Sequence, residues 1–423
     1  MNQKIDELLS RGVSKFIDPE GIFEEKLKNS PEKIVIKYGI DPTCPDIHLG
    51  HALIFRKLKQ FQDLGCKIVF LVGDFTAQIG DPSGKSKMRP EISMKEILEN
   101  ALTYIKQVKN LLDVSDPNKY LVLLNTLWLR SVSDSTLKTV DERFSHWKKE
   151  TKEYIDKIPS VRSGDLLSIS TLDLMSTLRG VTHSQLIERD MFQDRIKRGQ
   201  QLYMHEMMYP ILQGLDSYAI AWYLGSCDLE VGGTDQTFNM LMGRSVMKIK
   251  KSPNSQSVLS FKLLEGVDGK EKMSKSLNNY IAITDQPSDM YGKVMSIPDT
   301  SIKNYFELCT DISTGEMEKI IKIHPKEAKM RLAFEIVKMY HGEEAAKEAQ
   351  ENFEETFSKG GVPEDIKTVR ANKDTPLADI LLKHKLVSSK TEFNRLKKEG
   401  AIKEIENGVY RIGKHRFIRV EIL

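Results

Sequence analysis

The sequence predicts an α/β fold in which a parallel sheet is covered by helices on both faces. Short apolar strand candidates alternate with amphipathic helical patterns between Lys33 and Leu124, the β-α-β-α-β pattern of such sheets. Turn residues close each strand. The residues suited to chemistry gather just after those turns, beyond the carboxyl ends of the strands where ligands bind in this architecture.

The elements follow in order. Residues 1 to about 30 read as polar helix with a loop, using Ile5, Leu8 and Leu9 as a small packing stripe. Lys33 to Ile40 (KIVIKYGI) is the first strand candidate, and Asp41-Pro42-Thr43 breaks it. His48 to Leu64 carries Leu49, Leu53, Ile54, Leu58 and Phe61 at helical spacing, and Gly65 stops it. Lys67 to Gly73 (KIVFLVG) is a second strand. A polar turn from Asp81 to Pro90 leads into a helix reaching about Leu112, and Tyr120 to Leu124 is the third strand. Asp41, Gly73 and Asn125 therefore fall at carboxyl ends.

Residues from about 130 to 225 are mainly helical patterns, with Met204 to Leu215 as a buried stretch. Asp228 to Val231 is another short strand closed by Gly232-Gly233, and a helix resumes over residues 234 to 250. Residues 285 to 359 form an amphipathic helical domain, 360 to 375 a linker, and 376 to 423 a small terminal domain. That domain has two helical segments, then strand candidates Gly408 to Ile412 and Arg416 to Ile422.

A chain of 423 residues accommodates two or three domains. Its 40% hydrophobic and 29% charged content is that of an ordinary globular protein. The formal net charge of +3 does not by itself announce a nucleic-acid binder, but the charge is unevenly spread. From Arg370 to Leu423 there are 13 Lys/Arg against 7 Asp/Glu, a surplus of 6 that would steer an anionic partner to this end. Cys44, Cys66, Cys227 and Cys309 form no CxxC pair and suit neither a zinc site nor a disulfide framework. The opening MNQKIDELLSRG carries acids and lacks the apolar run of a secretory signal, and no apolar stretch is long enough to span a bilayer. A cytoplasmic protein with no membrane partner is expected.

Four segments carry the chemistry. His48-Leu49-Gly50-His51 opens a helix directly after a strand and turn. Its glycine permits close backbone approach, its free N–H groups favour phosphate, and its two imidazoles share one face of the first turn. Gly80-Asp81-Pro82-Ser83-Gly84-Lys85-Ser86 tempts toward a Walker A loop, but Ile79 stands where the first glycine is required. Lys85, Lys87 and Arg89 leave it a cationic loop. Gly232-Gly233-Thr234-Asp235-Gln236 joins strand to helix with room for adenine or ribose. Lys272-Met273-Ser274-Lys275-Ser276, flanked by Gly266, Asp268, Gly269, Asn278 and Asn279, suits a polyphosphate clamp. No carboxylate cluster suggests a metal cage.

HLGH and KMSKS, in this order on a Rossmann-like sheet, are similar to the two signature motifs of class I aminoacyl-tRNA synthetases. The whole chain resembles the bacterial tyrosyl-tRNA synthetase family, in the form whose second motif is KMSKS rather than KFGKT. The likeness runs through GDPSGKSKMRP, YPILQGLD and GGTDQ to a terminal segment (LADIL, then SSKTEFNRLKKEGAI) that resembles an S4-like RNA-binding domain. It implies a Rossmann-like catalytic domain over 1 to 284 with a helical insertion, an anticodon-side helical domain over 285 to 359, and a symmetric homodimer joined near residues 130 to 200. The implied reaction joins L-tyrosine to tRNA(Tyr), with ATP and Mg²⁺ as co-substrates and no tightly bound organic cofactor.

Residue roles implied by the resemblance follow the matching positions. Asp81, Tyr209 and Gln213 would hold the substrate ammonium, Asp216 the tyrosine hydroxyl, and Gln236 the carboxyl group. Thr43, His48, Gly50 and His51 would face ATP, Asp235 its ribose, and Lys85, Arg89, Lys272, Met273 and Lys275 its phosphate side. Tyr38 and Asp41 belong to the tyrosine pocket, and Asn125 and Trp128 match its wall. One departure stands out. Where the better-known form has Tyr-Cys-Gly-Phe-Asp-Pro, with that tyrosine sharing the substrate hydroxyl, this chain has Lys37-Tyr38-Gly39-Ile40-Asp41-Pro42. Lys37 is expected in the pocket, either in a different hydrogen bond or paired with Asp216.

Overall fold

The computed structural model describes residues 2–81, 92–129, 167–187, 190–358, 368–372, 375–384, 386–387, 389–406, 408–413 and 416–422. Two compact units emerge: Met1–Thr284 with Asn304–Asp311, and Asp285–Lys303 with Ile312–Leu423.

The first unit is built on a sheet of strands β1 (Val13–Ile17), β2 (Val35–Ile40), β3 (Lys67–Val72), β4 (Tyr120–Leu124), β5 (Leu229–Gly233) and β6 (Ser257–Phe261). Their order is β1-β6-β5-β2-β3-β4. All neighbours from β6 to β4 are parallel, while β1 runs antiparallel to β6. Counting only the parallel strands, the order is the doubly wound one, and chain direction across the sheet reverses between β2 and β5. β4 and β6 are buried along their whole length, as strands covered on both faces must be.

Two strands depart from the sequence expectation. β1 lies in the segment read as helix and loop, and its sequence VSKFI mixes polar and apolar residues as an edge strand can. β6 (SVLSF) is a five-residue run that extends the sheet beyond β5. The expected all-parallel sheet is therefore a mixed one, because its last parallel strand is capped by an antiparallel edge.

Helix Leu49–Asp63 crosses over from β2 to β3 and buries Leu53, Phe55, Leu58 and Phe61. Helix Met94–Val108 lies between β3 and β4, with Ser93 accepting the Glu96 N–H as its N-cap. The long helix Met204–Leu224 packs against helix Thr237–Ile249. Gly214 makes that approach possible, since a Cβ there would lie 2.7 Å from Val246 Cγ2. Before the long helix, Arg195 and Glu206 form a buried bidentate pair at 2.7 and 3.1 Å. Glu206 also accepts the Tyr203 N–H at 3.0 Å, so both of its oxygens are engaged.

In the second unit, helices Pro287–Met295, Pro325–His341 and Glu343–Ser358 pack on one another, with the Tyr291 and Phe353 rings 5.3 Å apart. The terminal segment has its own sheet, ordered β7-β10-β9-β8: β7 (Thr368–Ala371), β8 (Ile402–Glu406), β9 (Val409–Ile412) and β10 (Arg416–Ile422). Helices Leu377–Lys383 and Lys390–Lys398 close a core that includes Ile380, Leu381, Phe393, Leu396, Ile412 and Ile418. β7 falls inside the stretch read as linker, and it pairs in parallel with β10. Among the described residues no helix is long and apolar enough to cross a membrane.

Candidate functional site

A cleft of about 230 Å³ opens at the carboxyl edge of the first sheet, over the reversal between β2 and β5. Most of the predicted site residues line it; Asn125 and Trp128 stand behind its wall, in contact with Asp216. Lys275 stands in the adjoining loop, and Lys85 and Arg89 lie outside the described residues.

At the end of the cleft that holds the two imidazoles, His48 precedes helix Leu49–Asp63 in an extended conformation, and its side chain does not cap that helix start. The His48 and His51 rings stack with centroids 3.8 Å apart and planes 24° from parallel. Both Nδ1 atoms are buried with no hydrogen-bond partner among the described residues. Burial holds both imidazoles below their ordinary range, His51 at about 3, and the Lys272 and Lys275 charges push the same way. Both rings are therefore neutral at physiological pH, each able to donate one hydrogen bond.

The lysine loop faces them. Met273 is buried and its N–H donates to Leu264 O at 2.8 Å, which anchors the loop below its two lysines. Asn279 Oδ1 accepts the Ser274 N–H at 2.8 Å, and Asn279 Nδ2 donates to Asp268 at 3.0 Å. Beyond the loop, Ala282 bridges to His48 and Ile281 O accepts the Leu49 N–H at 3.0 Å. The two motifs are thus tied through backbone. Lys272 is paired with Asp235, and Lys275 with Asp46. The Lys275 ammonium also lies 5.2 Å from the Tyr280 ring centroid.

At the other end, Gln236 Nε2 donates to Asp81 at 2.6 Å. Asp41 accepts from Tyr209 OH and from Thr76 Oγ1, both at 2.8 Å. Gly73 is required there, because a Cβ would come within 2.1 Å of Asp41 Oδ1. Asn125 Nδ2 donates to Thr76 Oγ1 at 3.0 Å and to Asp216 at 3.3 Å, and Trp128 Nε1 donates to Asp216 at 2.8 Å. Burial pushes the Asp216 carboxyl up to about 7, against the pull of Lys37, Trp128 and Asn125 and with the help of Glu230.

Lys37 is fully buried at the floor. Its Nζ lies 2.9 Å from Glu230 Oε1 and donates to Gln213 O and Ser217 Oγ, each at 2.9 Å. Parallel pairing of β2 with β5 sets Lys37 directly opposite Glu230. Of the two expectations for Lys37, the structure gives the different partner, Glu230, in place of Asp216. Tyr38 points to the opposite face of the sheet, where its ring packs edge-on against Phe55 at 5.2 Å.

Three residues that sequence reasoning missed take part. Glu230 is an acid in the middle of an otherwise apolar strand, which is itself a signal. Thr76 completes the hydrogen-bond chain between Asp41 and Asn125, and Asp46 holds Lys275 from two residues before His48. Nothing in their local sequence distinguishes the latter two.

Comparison with known proteins places this geometry. The family described as "tRNA synthetases class I (W and Y)" matches residues 28–149 and 159–358. A tyrosine–tRNA ligase of Desulfotalea psychrophila is 38% identical over 98% of this chain and 97% of its own length. Tyrosine–tRNA ligase 2 of Clostridium acetobutylicum is also 38% identical, over 99% of both chains. Among solved structures, the C-terminally truncated mitochondrial tyrosyl-tRNA synthetase of Aspergillus nidulans superposes with a TM-score of 0.60 at 21% identity, covering 84% of this chain and 94% of that one. The Archaeoglobus fulgidus tyrosyl-tRNA synthetase bound to L-tyrosine gives 0.55 at 21% identity, covering 82% and 99%. At that identity the structures speak for a shared fold.

Proposed function

The chain belongs to the class I tyrosyl-tRNA synthetases, and from that premise we propose how its own residues divide the reaction. It is an ATP-dependent tyrosine–tRNA ligase: L-tyrosine is activated by ATP to tyrosyl-adenylate and then joined to the terminal ribose of tRNA(Tyr).

In the first step the tyrosine carboxylate attacks the α-phosphorus of ATP and pyrophosphate leaves. That carboxylate is already ionised at neutral pH, so no protein base is needed. Catalysis rests on positioning and on stabilising charge as it develops. His48 and His51 act as neutral hydrogen-bond donors toward the phosphates. The orphaned ring nitrogens support this role, as does the absence of a His48 side-chain cap on the helix behind them. Lys272 and Lys275, with Lys85 and Arg89, neutralise the departing pyrophosphate, and ATP enters as its magnesium complex. Thr43 and Gly50 contact ATP, Asp235 takes the ribose once Lys272 releases it, and Met273 anchors the loop.

Asp81, Tyr209 and Gln213 hold the ammonium group, Gln236 the carboxyl, and Asp216 accepts from the phenol. Asp41 orients Tyr209 through the hydrogen bond at 2.8 Å. We assign the 376–423 segment to tRNA, which its surplus of 6 positive charges over residues 370–423 supports. A cytoplasmic homodimer completes the reading; the exposed Leu172 and Met175 on one helix offer apolar surface for the second copy.

The observation that carries this assignment is the single cleft shared by the paired imidazoles, Lys272 and the buried Asp216. The test is ATP–pyrophosphate exchange with tyrosine, phenylalanine or tryptophan as the only amino acid, on the native chain and on Asp216→Asn. Strong dependence on tyrosine that collapses in the variant supports the assignment. Equal selectivity in both proteins would remove Asp216 from its role.

A further inference from the structure

Two glutamines line the amino-acid end of the cleft, and a buried neighbour takes one end of each side-chain amide. Gln213 donates through Nε2 to Glu230 Oε1 at 2.9 Å, so its nitrogen is held by an acid. Gln236 is held the other way round. Its Oε1 accepts from Asn239 Nδ2 at 3.0 Å, while its Nε2 donates to Asp81 at 2.6 Å. An amide has an acceptor at one end and donors at the other, so whatever takes one end decides where the other points.

Asn239 is fully buried on the first turn of helix Thr237–Ile249, three residues after Gln236 and on the same face of the turn. Its Nδ2 also lies 3.5 Å from Asp81 Oδ1, so one amide nitrogen faces both residues. Its own Oδ1 is buried with no hydrogen-bond partner among the described residues. Turning the Asn239 amide over would not help, because that oxygen would then stand against Gln236 Oε1 and Asp81 Oδ1, three acceptors together. A buried orphan acceptor costs stability that an apolar side chain of similar shape would not. Packing therefore does not explain this residue, and its two neighbours do.

We propose that Asn239 is a positioning residue for the zwitterionic end of the amino acid. By holding Gln236 Oε1 it keeps the amide nitrogen on the side of Asp81, so that a donor and a carboxylate stand together. An α-amino acid carries a carboxylate and an ammonium on one carbon, and Gln236 with Asp81 is the complement of both. The proposal rests on the assignment of Gln236 to the substrate carboxyl and Asp81 to the ammonium. Without the Asn239 donor, Gln236 can turn its oxygen toward the substrate carboxylate, where acceptor meets acceptor. The loss falls on the carboxylate and leaves the ring end of the pocket as it is.

The test is equilibrium binding of tyrosine and of tyrosinol to the full native chain and to Asn239→Leu. Tyrosinol keeps the ammonium and the phenol, but its hydroxymethyl group can donate or accept and is indifferent to the direction of the amide. Tyrosine should bind the variant at least about tenfold more weakly, as for one lost hydrogen bond to a charged group, while tyrosinol changes by less than about threefold. Equal weakening of both ligands, or no weakening of tyrosine, overturns the proposal, since a residue that merely supports the fold treats the two alike. Where Asn239→Leu does not fold, Asn239→Ala, which also lacks the donor, decides by the same ratio. Gln236→Leu separates the two layers. If it too weakens both ligands equally, the assignment of Gln236 to the carboxyl has failed. If it discriminates between them and the Asn239 variants do not, that assignment stands and Asn239 has no part in it.

Discussion

Acidification should erode the choice between tyrosine and phenylalanine without touching the rest of the reaction. With Asp216 as the proposed hydroxyl acceptor, a phenol O–H bonds most strongly to its ionised carboxylate, and burial has moved that ionisation up to about 7 from 3.8. Below this pH the carboxyl carries a proton and its acceptor capacity shrinks. Phenylalanine gains instead, because a neutral acid leaves no unpaired charge beneath its ring. The ratio of kcat/KM for tyrosine over phenylalanine should therefore fall about tenfold per pH unit, or about 30-fold at pH 5.5. Taking the ratio cancels the ionisation of ATP, of pyrophosphate and of the amino-acid backbone, which both substrates share. Stability moves the other way. A folded-state value above the unfolded one means that protons favour folding, so the cost of the buried charge is fully present above about pH 7 and relieved toward pH 4, at about 4 kcal/mol in all. The assay is initial-rate ATP–pyrophosphate exchange between about pH 5.5 and 8.5, repeated on Asp216→Asn, where the trend should vanish. A ratio that stays flat across that range in the native chain refutes the reasoning.

Four further outcomes are expected. Lys275→Ala should lower kcat for adenylate formation by about 100-fold with little change in tyrosine KM, whereas Asp46→Asn should lower the ATP KM by about threefold, since it removes a carboxylate that competes with phosphate for Lys275; paired steady-state kinetics check both. His51→Gln should keep activity within about tenfold of native while His51→Ala loses about 100-fold, because a neutral donor is what the site requires with the His51 pKa at about 3. Arg195→Ala leaves Glu206 buried without its cation and should cost about 3–5 kcal/mol, read as an earlier first transition in urea. Deleting the chain from Thr368 onward removes a segment with its own core, so exchange should hold within about twofold while tRNA charging drops at least about tenfold and loses much of its salt dependence.

What the sequence made legible follows a physical pattern. β2, β3 and β4 were readable because strands buried on both faces are mostly apolar and bounded by turn residues, even with Lys37 inside β2. β1 was hidden by its mixed composition, which an antiparallel edge tolerates, and β7 by its length of only four residues. The imidazole and lysine motifs stood out because their residue types are unusual at a helix start or beside so many glycines. Glu230 gave a weaker signal. A lone acid in a short apolar strand is unusual, but its partner is named only by the parallel register that sets it against Lys37, a property of the folded sheet. Asp46 was unreadable for the same reason, since its partner Lys275 arrives from a distant loop.

The two ends of the cleft handle charge in opposite ways, and the difference suits what each must do. At the amino-acid floor, Lys37 and Glu230 have side-chain exposures of 0% and 2%, so neither water nor ligand can replace either partner cheaply. Such a pair is a fixed part of the wall, and selection needs a wall that does not adjust to the wrong ring. At the end assigned to the nucleotide, Lys272 and Asp235 are 49% and 15% exposed and Lys275 and Asp46 14% and 35%, so each ion pair has one partner open to solvent. Pairs of that kind are worth little on their own, so an incoming polyphosphate can take the lysines from Asp235 and Asp46 at small cost. The carboxylates then stand ready to reclaim the lysines as pyrophosphate departs. A phosphate clamp built from buried, saturated pairs like that of Lys37 would hold its geometry but could neither bind nor release. The exposed ion pairs are thus as much a requirement of turnover as the buried one is of choice.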